Sequence, residues 1–184
     1  RDGMDVAQRD WLFPEVIRQR QWGVGRAPLE HGVSAELSRA AWSELMETDQ
    51  WILVARVMEL SLDDTDRRRV MRAALEKKEG SVVAHGISVM EGRVSVEERE
   101  AMYEQALSQG VWQAVKRLVE EKDSTGAAQR DRALVAAVEQ HRWDVVDHCD
   151  RHGADINKRN ARGDTLLHEK TMLDDWDRVE GLLE

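Results

Sequence analysis

Apolar residues recur along the chain at spacings of three and four rather than two, so the pattern is helical throughout and no alternating strand stands out. Spaced tryptophans mark its period. "WILVARVME" at Trp51, "WQAVKRLVE" at Trp112, "WDVVDHCDR" at Trp143 and "WDRVEGLLE" at Trp176 are similar segments. "WGVGRAPLE" at Trp22 fits the same frame, as does "VAHGISVME" with Val83 in place of Trp. These starts are 29, 32, 29, 31 and 33 residues apart, which is the signature of a stacked repeat. Within each segment, offsets 0, 3, 6 and 7 fall on one helical stripe. Offset 8 carries Glu30, Glu59, Glu91, Glu120 and Glu184, interrupted by Arg151, and reads as the solvated edge. Each unit therefore ends in an amphipathic helix, called helix B here.

An Ala-rich helix A is expected before each B. Its stripes are Leu37, Ala41, Leu45 and Met46; Val70, Met71, Ala74 and Leu75; Ala101, Met102, Ala106 and Leu107; and Ala133, Leu134, Ala137 and Val138. "SVEE" (Ser95–Glu98) forms a capping box, and Ser34, Asp64 or Thr65, and Asp164 are expected caps of other A helices. The A-to-B turns are short, with "KKEGSV" expected to be longer than the others. The resulting expectation is an all-α solenoid of about six stacked helix–turn–helix repeats in one domain, with units near 8–33, 34–62, 63–94, 95–123, 124–157 and 158–184.

The last connector is the longest. "GADIN" (Gly153–Asn157) followed by "RGDTLLH" (Arg162–His168) resembles the connector of the ankyrin-repeat family. Gly153 matches the helix-ending position, Gly163 and Asp164 the turn and cap, and Thr165, Leu166, Leu167 and His168 the tetrapeptide that opens the next A helix. The resemblance implies a β-hairpin finger here, and a role for His168 in loop hydrogen bonds. Leu166 departs from the family's Pro, and "EKT" (Glu169–Thr171) from its small apolar residues. The close match covers about residues 130–184. Upstream, the connectors are too short for a full finger, as in a degenerate ankyrin-like array.

Charge and composition narrow the function. A net charge of −9 argues against a nucleic-acid binder or a protein docking on an anionic membrane. No run approaches the ~18 apolar residues of a membrane span, and the single cysteine, Cys149, excludes an internal disulfide and suits a reducing, cytoplasmic setting. Arg1 in first place suggests a piece of something larger, and the apolar Leu182 and Leu183 near the end suggest further repeats or self-association through an open C-terminal end.

Chemistry is sparse. His141, His148 and His152 lie near Cys149, and His148 and His152 are four apart, which can place two metal ligands on one helical face. The preferred reading is nonetheless no metal and no cofactor. Cys149 at a core offset makes a poor nucleophile. "WGVGRAPLEHG" lacks the P-loop pattern, and Gly25 and Gly86 are read as close-packing positions. Trp11 and Trp42 are less regular than the other tryptophans, and one of them facing the inner surface would be a binding anchor. The basic cluster Arg67–Arg69 with Arg72 is balanced by Asp63, Asp64 and Asp66 and reads first as a solvated face. No enzyme constellation stands out. The expectation is a protein–protein interaction module, taking another protein or another domain of its own protein on a concave surface of A helices and connectors, as the ankyrin resemblance also implies. Candidate contacts are Ser43, Glu44, Glu47, Arg68, Arg72, Glu104, Gln105, Ser108 and Glu139, with Lys158 and Arg162 on the connector tip. The alternative is a structural spacer or autoinhibitory arm.

Overall fold

A computed structural model describes residues 6–19, 34–60, 62–120, 126–157, 159, 162, 163, 165 and 168. The segment from Trp22, the helix from Trp176, the Leu182–Leu183 end, Lys158, Asp164, Leu166 and Leu167 lie outside them. Among the described residues the chain is all-helical: α1 (Val6–Arg18), α2 (Ala35–Glu47), α3 (Trp51–Leu60), α4 (Asp64–Glu76), α5 (Gly80–Val89), α6 (Val96–Gln109), α7 (Trp112–Val119), α8 (Gly126–Glu139) and α9 (Trp143–Arg151). The chain divides into two compact units, Arg1–Met102 and Tyr103–Glu184.

One turn recurs four times and sets the pairing of the helices. Asp49, Lys78, Gly110 and His141 all adopt left-handed backbone, with φ of 56°, 62°, 68° and 55°. Each donates its N–H to the carbonyl three residues back: Met46, Leu75, Leu107 and Val138. The next residue donates five back, from Gln50 to Leu45, Glu79 to Ala74, Val111 to Ala106 and Arg142 to Ala137, each at 2.8 Å. This paired pattern is a Schellman motif, which satisfies the last carbonyls of the first helix and turns the chain. The second helix starts at once, at Trp51, Gly80, Trp112 and Trp143.

The third unit is thus corrected. Its B helix begins at Gly80 rather than Val83, and "KKEGSV" holds the same tight turn as the others. In the corrected register, offsets 0, 2, 3, 6 and 7 are buried in α3 (Trp51, Leu53, Val54, Val57, Met58), α5 (Gly80, Val82, Val83, Gly86, Ile87) and α7 (Trp112, Ala114, Val115, Leu118, Val119). In α9, Val145, Val146 and Cys149 keep the pattern, while Trp143 is half-buried and Asp150 exposed.

The A helices shift in the same way. Trp42, Met71, Tyr103 and Leu134 hold one equivalent buried position, nine residues before each B start. Ala101, expected in the core, is exposed, and Tyr103 replaces it there. The Tyr103 hydroxyl donates to the Gln129 carbonyl at 2.6 Å, so its polar end is satisfied. Burial pushes its pKa up. An arginine covers the aromatic residue at this position in both units: Arg69 lies 5.7 Å from the Trp42 ring centre, and Arg132 lies 5.8 Å from that of Tyr103.

In the Arg1–Met102 unit, Ser34 caps α2 by accepting the Leu37 N–H, and its own N–H donates to Asp10 on α1. The cap of α4 is Asp63, one residue before the expected Asp64, and it accepts the Asp66 N–H at 3.0 Å. The Ser95–Glu98 capping box is formed in both directions. Gly86 lies against α4: a Cβ there would sit 2.5 Å from Met71 Cγ and 2.6 Å from its Sδ. This is the close approach expected of that glycine.

In the Tyr103–Glu184 unit, Gly153 ends α9 in left-handed backbone, with the Ala154 N–H donating to the Cys149 carbonyl at 3.0 Å. The connector then turns back on itself. Arg159 and Thr165 form an antiparallel bridge, Gly163 has φ of 87°, and the Arg159 guanidinium donates to the Gly163 carbonyl at 2.6 Å. The His168 backbone N–H reaches Thr165 Oγ1 at 3.4 Å.

Two stability effects follow. A non-glycine residue in left-handed backbone costs about 1 kcal/mol. Lys78→Gly is therefore expected to raise unfolding free energy by about 0.5 kcal/mol and Gly110→Ala to lower it by about 1 kcal/mol, read from urea denaturation. Alanine at position 86 gains about 1 kcal/mol in helix propensity but overpacks Met71, at a cost of about 1–3 kcal/mol. Gly86→Ala is expected to be destabilising by about 1 kcal/mol in the same measurement.

Candidate functional site

Two openings lie on the A-helix side of the Arg1–Met102 unit. A cleft of about 290 Å³ runs between α1 and α2, lined by Phe13, Pro14, Ile17, Arg18, Leu37, Ala40, Ala41 and Glu44. Its walls are apolar, with Arg18 and Glu44 supplying charge. Trp11 stands on α1, three and seven residues before Pro14 and Arg18, so helical spacing puts it on their face. Its side chain is 75% exposed. A second, wider groove of about 500 Å³ is lined by Ser43, Met46, Glu47, Trp51, Ala73, Glu76 and Lys77. Its floor is mixed apolar and acidic, with Lys77 as a cation.

The candidate contacts separate under this geometry. Ser43, Glu44 and Glu47 line the two openings. Arg68 does not: its guanidinium is used within the protein, 3.0 Å from a Glu98 carboxylate oxygen and 2.8 Å from the Arg93 carbonyl. Arg67 donates to the Met58 and Glu59 carbonyls at the end of α3 and pairs with Asp64. Arg67 and Arg68 are therefore spent on joining helices, and Arg69 and Arg72 are the cluster's exposed members. Glu104 pairs with Arg132, Gln105 is half-buried, and the Ser108 hydroxyl donates to the Gln105 carbonyl. Glu139 and Arg162 are exposed.

The two irregular tryptophans part company. Trp42 is buried under Arg69, while Trp11 is open to solvent. Ile52 on α3, 86% exposed, is a second open apolar side chain that the periodicity did not single out.

A third cluster lies in the Tyr103–Glu184 unit. Glu120 at the end of α7 meets His148 and His152 of α9, with one potential ligand atom from each within 4.8 Å of the others. His148 Nε2 is 3.4 Å from Glu120 Oε1 and 3.1 Å from the Lys116 carbonyl, to which it can donate. The two imidazoles lie 4.5 Å apart, tilted by 36°. The other Glu120 oxygen is held by Arg117 at 3.0 Å. Beside them Lys116 and Asp144 pair at 2.8 Å, and the Lys116 hydrogen bond holds the Asp144 carboxyl down to about 2. His141 does not join this group. Cys149 is fully buried, and burial pushes its thiol up to about 12, which disfavours the thiolate that a nucleophile or ligand needs.

Burial also holds His148 below the ordinary imidazole value of 6.5. The unfolded chain then binds more protons than the folded one just below that pH, so stability falls as pH drops through this window. His148→Gln is expected to shrink the loss of stability between about pH 7.5 and 5.5, seen as a smaller shift of the urea midpoint; an unchanged shift would refute the assignment. Compared with family models, curated proteins and solved structures, the chain gives no significant match to any.

Proposed function

We propose that this chain is a protein-interaction module, an ankyrin-like array of stacked helix pairs that takes another protein, or another domain of its own protein, on its A-helix side. The observation that carries this reading is Trp11, an exposed indole on the helix whose Phe13, Pro14, Ile17 and Arg18 line an apolar cleft, although Trp11 does not itself line it. Covering an indole of this exposure is worth roughly 3 kcal/mol in area terms, and tryptophan is among the commonest anchors of protein interfaces. A cleft walled by Phe13, Ile17, Leu37 and Ala41 suits an apolar side chain of the partner, with Arg18 and Glu44 fixing its polar flanks.

The ankyrin-like part rests on the repeated Schellman turns and on the connector, where Gly153 and Gly163 are left-handed, Arg159 bridges Thr165 and the Thr165 hydroxyl accepts the His168 N–H. Of these, the left-handed Gly153 and the turn closed by Arg159 and Thr165 are what the resemblance to the family's finger implies, whereas the His168 contact is made by its backbone N–H and not by the ring. Stacked helix pairs present long surfaces rather than enclosed pockets, which favours recognition of a protein over chemistry on a small molecule.

The test is a quantitative binding assay with a captured partner, comparing Trp11→Ala with Ile52→Ser. Trp11→Ala is expected to weaken binding by about 30-fold or more, the ~2 kcal/mol of an interface hot spot. Ile52→Ser, on a B helix, is expected to leave it within about twofold. The reverse pattern would move the surface to the B-helix side and overturn the reading.

A further inference from the structure

We infer that Glu120, His148 and His152 form a binding site for a divalent transition-metal ion of the zinc type. The argument starts from a repeated pair. In the corrected register His85 and His148 share offset 5 of their B helices, and each faces the offset-8 glutamate of the preceding B helix. His85 Nε2 is 4.0 Å from Glu59, and His148 Nε2 is 3.4 Å from Glu120. Each glutamate is also held from its own helix by the offset-5 arginine, Arg56 or Arg117. This Glu–His step is part of how neighbouring B helices join. One turn beyond the histidine, however, the two steps differ: Val89 follows His85, whereas His152 follows His148. The second step alone has gained a third donor, on the same helical face, and a joining role does not require it.

The donor set and spacing suit the ion. Two imidazoles and a carboxylate with a free fourth position is an established zinc arrangement. With metal–ligand bonds of about 2.0–2.2 Å, tetrahedral ligand atoms stand roughly 3.3–3.6 Å apart. The Glu120–His148 pair is already at 3.4 Å, and all three donors lie within 4.8 Å of one another, so a small side-chain rotation closes the set. All three residues are half-buried, leaving a solvent route for the ion. The Arg117 contact orients the Glu120 carboxylate as a supporting partner orients a ligand. Of the nearby cations, Lys116 is neutralised by Asp144, and Arg117 contacts Glu120 Oε2 while Oε1 faces His148. Ligation through His148 Nε2 shifts its proton to Nδ1, the other neutral tautomer, and replaces the hydrogen bond to the Lys116 carbonyl. A nitrogen-rich set of this kind selects zinc, nickel or copper over magnesium or calcium.

The test is calorimetric titration of the chelator-stripped full chain with zinc chloride, alongside thermal melting with and without the ion. The expected result is one zinc per chain with a raised melting temperature, and no binding of magnesium. Supporting partners alone are worth about 10–100-fold in metal affinity, so His152→Ala and Glu120→Gln are each expected to weaken zinc binding by at least ~10-fold. His85→Ala is expected to leave it unchanged. His152 is the C-cap of α9, and circular dichroism of its variant checks that the fold is retained. Absence of zinc binding, an unmoved melting temperature, or full affinity in His152→Ala would each overturn the proposal.

Discussion

The left-handed residue between paired helices is the constraint on which the rest of the structure depends. At Asp49, Lys78, Gly110 and His141 one positive φ lets two N–H groups return to the end of the preceding helix. The next helix then begins within two residues, with its first residue buried at Trp51, Gly80 and Trp112 and half-buried at Trp143. Because the turn is the same each time, buried offsets repeat from unit to unit, and so do the pairs that join one unit to the next. Three of the four positions are not glycine, so the backbone conformation there is held by the hydrogen bonds and the packing of both helices rather than by residue preference.

From this regularity come two kinds of contact. Buried offsets supply the apolar adhesion, dominated by valine, alanine and leucine. Half-exposed offsets supply polar cross-links: arginine over an aromatic ring, and glutamate against histidine. Individually such exposed pairs are worth about 1 kcal/mol or less, so they fix register and orientation more than stability. Where a repeat position departs from the pattern, a surface is left over. Trp11 is an exposed aromatic residue outside the repeated aromatic position, and His152 is a histidine where a valine stood two repeats earlier. Both candidate functions arise at departures from the repeat rather than in the repeat itself.

Much of the fold was legible because helical periodicity and capping chemistry are local. The Ser34 cap, the Ser95–Glu98 box, the left-handed Gly153 and the close-packed Gly86 all follow from a few neighbouring residues. The third B helix was misplaced because Gly80, Val83 and Gly86 are three apart. A shift of that size rotates a helix by only about 60°, and the apolar pattern fits either register. Only the hydrogen bonds around Lys78 separate the two. Tyr103 was missed for a related reason: Ala101, Met102, Ala106 and Leu107 make a plausible stripe, and the large ring beside them took the core position because its hydroxyl could reach the Gln129 carbonyl.

The sequence by itself determined the all-helical character of the described residues, their approximate period, and caps such as Ser34 and the Ser95–Glu98 box, since each is written in residues within a turn or two of one another. Ser43 and Glu47, read as exposed A-helix positions, are exposed, and Glu44 is half-buried. Tertiary structure decided what depends on distant residues meeting. It buried Trp42 and left Trp11 exposed, although both stand on A-type helices. It turned Arg68 inward to Glu98 and the Arg93 carbonyl, and it brought Glu120 to His148 across 28 residues of chain. The physical reason is common to all three. A side chain's partner is chosen by the angle at which whole helices pack, and that angle is set by every turn and core contact together.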